Sequence, residues 1–321
     1  MRAFTKFFKK YTFLFGLILF VIILSRTNVG EIFQNISNTK PAYLITAILL
    51  LIPSLIIKTL CWNYIMRQQG IKYGLKDSFL MYCSGLYIGI VTPGRMGEIT
   101  KALYLKNDGH SMGKSLVSTI LDRLSDFAFL LVFIFLGSLF FLNVIYKQIL
   151  IFIIIILISL VLLFILFKTG LIKLIIKKIF YILIPQKYQK SWKINFQDFI
   201  DDIKIYKFKN YLIIFIISAL SWLFYYIQMY VLSRGLNIDL PFLYFAIAIT
   251  IAGFITLIPV SISGIGTRDA ALLLLFGPFL IPKEEIIALS ALILSISVIA
   301  AIIGLICWTI KPIKLNNQLK A

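Results

Sequence analysis

Charged side chains are scarce in this sequence. Only 14% of the 321 residues are charged and 60% are apolar, whereas a soluble domain carries roughly 25% charged and 45–50% apolar residues. A water-soluble enzyme is therefore excluded. Disorder is excluded as well, because 28 Phe and 16 Tyr are too much apolar surface to leave in water. The composition predicts an all-α polytopic membrane protein with residues 1–321 in a single membrane domain.

Histidine and cysteine are also rare, which limits the possible chemistry. The one histidine, His110, cannot form a metal site alone, and Cys61, Cys83 and Cys307 are too scattered for a metal signature or a disulfide framework. No Gly-rich run is followed by Lys-Ser or Lys-Thr, so no nucleotide-binding loop is visible. We therefore expect no metal, no cofactor and no catalytic residue of the Ser–His type.

Basic residues, in contrast, outnumber acidic ones by 32 to 13. In so apolar a chain this excess indicates the positive-inside rule acting on short loops, and we expect no nucleic-acid partner. Segment 168–208 holds nine Lys and three Asp, which predicts a cytoplasmic linker with an interfacial helix. The basic residues of 1–10 and 311–321 predict that both termini are cytoplasmic, in a multi-pass protein of the cytoplasmic (inner) membrane.

Six apolar runs are long enough to cross a bilayer, where about 20 apolar residues are needed and flanking lysines shorten the requirement. They are 11–25, 42–62, 118–142, 149–167, 210–232 and 286–310. The first has a basic start but no small-residue cleavage site, so it predicts a retained signal anchor.

Two further apolar runs, 78–92 and 242–259, are broken by Pro and Gly and continue as short second helices, 99–106 and 270–279. A single crossing by either run would place the nine-Lys linker outside the cell. Each broken segment must therefore cross an even number of times. A re-entrant helical hairpin satisfies this condition, provided that protein or a watery cavity surrounds its irregular backbone.

The order of elements predicts an inverted repeat. Residues 1–142 and 149–311 each read span, span, hairpin, span, but they start from opposite faces. With this topology the cytoplasm receives 23 basic residues and the exterior five. Interrupted segments at matching positions of inverted repeats are a pointer to a transporter binding site.

Three clusters of charge fall where charges are costly, at about 2.5–3.5 kcal/mol per residue in the middle of a span. Arg95, Glu98 and Lys101 follow the break formed by Pro93, Gly94 and Gly97. On a helix these three charges are i,i+3 neighbours. They predict either a phosphate or headgroup site near a helix start or a salt-bridged hairpin tip.

The second cluster, Asp122, Arg123 and Asp126, lies at the cytoplasmic start of the run 118–142. Its two aspartates are i,i+4 neighbours and share a helix face, where they can form an ion pair with Arg95 or Lys101. It predicts a gate or a coupling-ion site, or else interfacial charges in contact with water.

The third cluster, Arg268 and Asp269, opens the return arm of the second hairpin behind Pro259, Gly264 and Gly266. The planar guanidinium of Arg268 is suited to binding a phosphate. The alternative is an internal Arg–Asp pair.

Three motifs, Thr-Pro-Gly-Arg-Met-Gly-Glu (92–98), Leu-Asp-Arg-Leu-Ser-Asp (121–126) and Ser-Gly-Ile-Gly-Thr-Arg-Asp (263–269), give the chain a family resemblance. In order and spacing the sequence resembles the lysylphosphatidylglycerol synthase transmembrane-region family, the flippase-like domain of the bacterial multiple peptide resistance factor. The resemblance covers nearly the whole chain.

That resemblance implies a bacterial or archaeal inner-membrane protein that moves a polar lipid between leaflets. By motif, it implies functional roles for Arg95, Glu98, Asp122, Arg123 and Arg268. At position 269 the chain has Asp where the family more often has Glu. The resistance factor also has an aminoacyl-transferase domain, for which the cytoplasmic stretch 168–208 is too short, so we do not expect lysyltransferase activity.

Three functions remain open at this point. The first is a flippase that moves an anionic or aminoacylated membrane lipid, downhill or coupled to protons or sodium through Glu98, Asp122 or Asp126. The second is an intramembrane enzyme acting on a lipid-linked substrate through Glu98 and Asp122. The third is a non-catalytic subunit of a cell-envelope pathway, with an envelope protein or a second copy of the chain as its partner.

Overall fold

A computed structural model describes residues 16–140, 201–256, 261 and 263–313 of the chain, and all regular structure in these ranges is helical. The α-helices are α1 (Gly16–Ser25), α2 (Val29–Ser37), α3 (Pro41–Gln68), α4 (Leu75–Ile90), α5 (Thr100–Asn107), α6 (Met112–Phe140), α7 (Phe208–Gly235), α8 (Phe242–Thr256), α9 (Thr267–Phe276) and α10 (Lys283–Ile310). A 3-10 helix, Pro93–Ile99, joins α4 to α5, and a second, Gly277–Phe279, follows α9.

Three of these helices are long and apolar enough to span a membrane. Helices α3, α7 and α10 each have 28 residues, which corresponds to about 42 Å at 1.5 Å per residue. They coincide with three of the predicted runs. Helices α1 and α2 meet at a bend of 91°. They form a fourth candidate span only if the bent pair is counted as one. The predicted run 149–167 and residues 168–200 of the predicted linker lie outside the described residues.

Helix α2 has no counterpart among the predicted elements. Asn28 caps it, because its side-chain oxygen accepts from the backbone N–H groups of Gly30 at 3.0 Å and Glu31 at 3.3 Å. The backbone N–H of Asn28 also donates to Glu284 Oε1 at 3.3 Å. Helix α2 therefore packs beside the first turn of α10.

Both broken segments fold back on themselves. Tyr73, just before α4, donates its hydroxyl to Asp108, just after α5, at 2.6 Å. In the second segment Tyr244, in the first turn of α8, donates to the Leu275 carbonyl at the end of α9 at 2.5 Å. Each segment therefore ends beside the place where it began.

The helix ends sort to two faces of the molecule. On the first face the end of α3 meets the start of α7, where Tyr206 donates to the Ile65 carbonyl at 2.8 Å. The end of α10 meets the start of α4 on this face, where Lys311 bonds Asp77 at 2.8 Å. On the second face, the end of α7 at Gly235 lies against Thr39, just before α3.

The two most extensive helix pairs are α3 with α7 and α4 with α10, and a smaller contact joins α6 to α8. Glycines allow close approach in the last two pairs, because a Cβ on Gly304 would overlap the Cys83 carbonyl and a Cβ on Gly137 would overlap Ile247. Helix α8 is buried throughout residues 244–252, as expected for a helix that is apolar on every side.

Candidate functional site

A cavity of about 220 Å³ lies at the middle of the long helices. Its walls include residues 51–58 of α3, 123–130 of α6, 221–228 of α7 and 293–300 of α10, which are the central turns of these helices. The two helix breaks meet beside it, because Ser263 donates its hydroxyl to the Ile90 carbonyl at 2.9 Å. The cavity therefore lies about halfway between the two faces.

One wall carries a buried ion pair between Lys58 of α3 and Asp126 of α6. Ser218 and Trp222 of α7 support the carboxylate, donating to Asp126 Oδ1 at 2.6 Å and 3.1 Å. Lys58 also donates to Ser218 Oγ at 3.0 Å. Three helices thus converge on one carboxylate, and the pair reaches the cavity surface.

Behind this pair, the charges of the first two clusters other than Arg95 form a network. Arg123 makes two contacts with Glu98, at 3.0 Å to Oε1 and 2.7 Å to Oε2, and lies 3.3 Å from Asp122 and 3.4 Å from Asp126. Lys101 lies 2.5 Å from Asp122 and 3.7 Å from Glu98. With Lys58, three basic and three acidic side chains balance one another.

Small residues of α4 make room for this network. A Cβ on Gly85 would overlap the Lys101 side chain, and a Cβ on Gly89 would overlap the Glu98 side chain. Gly97 brings the 3-10 helix against α4, since a Cβ there would overlap the Ile88 carbonyl. The buried charges of the return arm thus lie in a groove that only glycine leaves open.

Arg95 is separate from this network. It has a φ of 54°, an uncommon backbone for a residue other than glycine, and its exposed side chain lines the cavity. Within the described part of the chain no carboxylate lies within 4 Å of its guanidinium group. The predicted i,i+3 pair with Glu98 does not form, because Glu98 bonds Arg123 instead.

Arg268 reaches the same cavity from the second break. Its guanidinium donates three hydrogen bonds: from Nε to Ser290 Oγ at 2.8 Å, from Nη2 to the Ser290 carbonyl at 2.9 Å and from Nη1 to the Ser263 carbonyl at 3.3 Å. The Ser290 hydroxyl in turn donates to Asp269 Oδ1. The alternative of a direct Arg–Asp pair is therefore not what the structure shows, because one hydroxyl links the two side chains.

Asp269 also caps α9, because its Oδ2 accepts the Gly266 backbone N–H at 2.7 Å. Gly264 and Gly266 have φ of 78° and 80°, values that favour glycine. In the first break, Pro93 and Gly94 lie in the 3-10 helix Pro93–Ile99. Pro259 lies outside the described residues.

The structure brings together all eight charged residues that the three sequence clusters single out, and it buries both aspartates of the second cluster, whereas the Arg123 side chain is 25% exposed. Asp122 is fully buried and Asp126 is 6% exposed, so these aspartates are not in open contact with water. Sequence reasoning missed Ser218, Trp222 and Ser290, because a Ser or Trp within an apolar run carries no signal of its own. Within the described ranges, no group of three His, Cys, Asp or Glu side chains could hold a metal ion.

Comparison with known proteins finds a matching family and similar membrane proteins. The family described as "Lysylphosphatidylglycerol synthase TM region" matches residues 10–304. A UPF0104 membrane protein of Methanocaldococcus jannaschii is 24% identical over 308 residues, which cover 91% of this chain and 92% of the relative. Another UPF0104 membrane protein, from Methanothermobacter thermautotrophicus, is 25% identical over 267 residues, covering 77% and 79%.

Proposed function

This chain is a membrane protein that belongs to the lysylphosphatidylglycerol synthase transmembrane-region family, and we propose that it translocates a lipid with an anionic headgroup across the cytoplasmic membrane. The observation that carries the proposal is the pair Arg95 and Arg268. Each comes from a different helix break, both line one cavity, and neither has a carboxylate within 4 Å in the described part of the chain.

The depth of these arginines supports a ligand. An arginine in the middle of a span costs about 2.5–3.5 kcal/mol on insertion scales unless something compensates it. A phosphate can compensate the charge of these arginines, because it accepts charge-assisted hydrogen bonds from guanidinium groups. Apolar side chains such as Leu55, Leu86 and Ile296 complete the cavity wall and suit the first methylenes of acyl chains.

The arrangement of helices supports alternating access. We propose that the two folded-back segments are re-entrant hairpins and that residues 1–142 and 149–311 form an inverted repeat. Under that repeat α4 corresponds to α8 and α6 to α10, so the pairings α4 with α10 and α6 with α8 are equivalent. Rocking of one half against the other around a fixed site would then expose the arginines to each leaflet in turn.

Reconstitution into liposomes tests the proposal. Wild-type protein should accelerate the transbilayer movement of a fluorescent anionic phospholipid, followed by dithionite quenching of the outer leaflet. Arg95→Gln and Arg268→Gln should each reduce the rate at least tenfold, since one charge-assisted hydrogen bond contributes about 1.5–3 kcal/mol. Mass spectrometry of the recovered lipid separates translocation, which leaves the mass unchanged, from an enzymatic reaction.

Arg234→Gln is the matched control. Arg234 bonds Asp239 on the exposed surface and does not line the cavity, so its loss should leave the rate unchanged. If all three variants move lipid like the wild type while accumulating normally, the cavity arginines are not the translocation site, and the role of a non-catalytic subunit gains support.

A further inference from the structure

We infer that the lipid carried in this cavity bears one net negative charge, as a phosphodiester with an uncharged headgroup does. This rests on the proposed function and narrows it to a substrate class. The inference comes from counting the charges that face the cavity and those bonded directly behind them.

The count has three parts, all within the described part of the chain. The network of Lys58, Lys101 and Arg123 with Glu98, Asp122 and Asp126 is neutral. Arg268 is balanced by Asp269 through the Ser290 hydroxyl. Arg95 has no such partner. Five basic side chains thus face four acidic ones, which leaves one positive charge.

The unpaired positive charge of Arg95 attracts a ligand of opposite charge, and the attraction between unit charges grows as the effective dielectric falls. A monoanionic phosphodiester neutralises the site. A zwitterionic lipid leaves the positive charge in place. A phosphomonoester, which carries about −1.5 to −2 at pH 7, brings an excess of negative charge. An aminoacylated lipid adds cations to a site that already has one too many.

Lipid selectivity in liposomes tests this directly. Three lipids with the same fluorescent acyl chain are compared at trace level in a zwitterionic bilayer: phosphatidylglycerol, phosphatidylcholine and phosphatidic acid. Wild type should move phosphatidylglycerol at least about tenfold faster than the other two, a ratio equivalent to about 1.4 kcal/mol.

Two variants should move the selectivity in opposite directions. Arg95→Gln makes the site neutral, so the preference for phosphatidylglycerol over phosphatidylcholine should disappear. Asp126→Asn removes one negative charge with almost no change of shape and so raises the net charge of the site by one, so phosphatidic acid should gain at least about tenfold relative to phosphatidylglycerol. Asp239→Asn, at a residue 81% exposed in its surface ion pair, is the matched control and should leave both ratios unchanged.

A titration in detergent separates a lipid from a soluble phosphodiester. Dihexanoyl phosphatidylglycerol and glycerophosphoglycerol share a headgroup, and only the first has acyl chains. We expect tighter binding of the acylated compound, and equal affinity would overturn the lipid assignment.

The remaining outcomes are distinct. If wild type moves phosphatidylcholine or phosphatidic acid as fast as phosphatidylglycerol, the charge class is wrong while translocation stands. If it moves none of the three, the proposed function fails and this inference with it. Should Asp126→Asn fail to accumulate, the Arg95→Gln result alone tests the charge class. Arg95→Gln should still fold, because Arg95 bonds no described side chain.

Discussion

Two glycines on one face of α4 determine whether a carboxylate and an ammonium group can be buried beside the cavity. Gly85 and Gly89 lie four residues apart, so they share a helix face, and they accommodate Lys101 and Glu98. Both charged side chains are nearly inaccessible, at 0% and 2% exposed. Their burial is possible because each has partners of opposite charge.

Gly89→Ala should therefore destabilise the protein. Its methyl group would overlap Glu98 and push that side chain away from Arg123, and overpacking of this kind costs about 1–3 kcal/mol. Thermal unfolding in detergent measures the loss. Gly253→Ala is the control, because Gly253 lies within α8 with nothing within 4 Å of its Cβ position; equal losses for the two variants would contradict the proposed overlap.

The pair Lys58–Asp126 offers a second test at this scale. Lys58→Met leaves a buried carboxylate without its closest cation, and breaking a buried pair costs about 3–5 kcal/mol. We expect the lower end, because Arg123 stays 3.4 Å from Asp126. In a double-mutant cycle with Asp126→Asn, the double variant should lose less stability than the sum of the single variants; additivity would mean that the pair contributes nothing.

At the residue scale the sequence predicts which charges belong to the site but not how they pair. Spacing along a helix suggests Arg95 with Glu98, yet the break is a 3-10 turn in which Arg95 has a left-handed backbone, so the two side chains diverge. Arg123, which bonds Glu98 instead, comes from α6, 25 residues further along the chain. A contact of that kind depends on packing between helices, which periodicity does not encode.

The breaks are the elements on which the site depends. Gly266 is the N-cap of α9, and its φ of 80° belongs to a region that costs other residues of order 1–3 kcal/mol. A Cβ at this position would also overlap the Gly16 carbonyl of α1. Gly266 therefore has three roles in the second break: it forms the turn, it caps α9 and it contacts α1.

Gly266→Ala should accordingly lower both stability and the proposed lipid transport, because it displaces the first turn of α9, where Arg268 lies. The backbone alone should cost about 1–3 kcal/mol. Thermal unfolding and the dithionite assay measure the two effects. Gly74→Ala is the control, since Gly74 caps α4 with φ of −64° and nothing within 4 Å of its Cβ position; a matching loss in that variant would mean that any cap glycine is needed.

At the element scale the sequence predicts helix positions well where a Pro–Gly break or a long apolar run marks them. The predicted runs 78–92 and 99–106 correspond to Leu75–Ile90 and Thr100–Asn107. Helix α2 is missed because it is only nine residues long and follows a 91° bend. Its position depends on the contact with Glu284, which no local pattern reveals.

For the whole molecule, the two faces differ in charge as well as in the helix ends they carry. The described loops and helix ends of the first face contain Arg67, Lys72, Lys76, Lys106, Lys114, Lys204, Lys207, Lys209 and Lys311. Those of the second face contain Arg26, Lys40, Arg234 and Lys283. By the positive-inside rule, we expect the first face to be cytoplasmic, which is the orientation that the same rule predicts from the full sequence.

Residues at either end of α7 test this topology and, with it, the inverted repeat. Lys204, before α7, and Asp239, after it, have exposed side chains, whereas the native Cys61, Cys83 and Cys307 are buried. A membrane-impermeant maleimide added to intact cells should label Asp239→Cys but not Lys204→Cys, and in inside-out vesicles the labelling should reverse.

The same labelling of Asp108→Cys, after the first hairpin, should follow the pattern of Lys204→Cys, because a segment that returns to its own face leaves Asp108 on the side of Tyr73. If Asp108→Cys were labelled from outside instead, the first hairpin would cross the membrane, the two halves would share one orientation, and rocking about a common site could not present Arg95 and Arg268 to both leaflets.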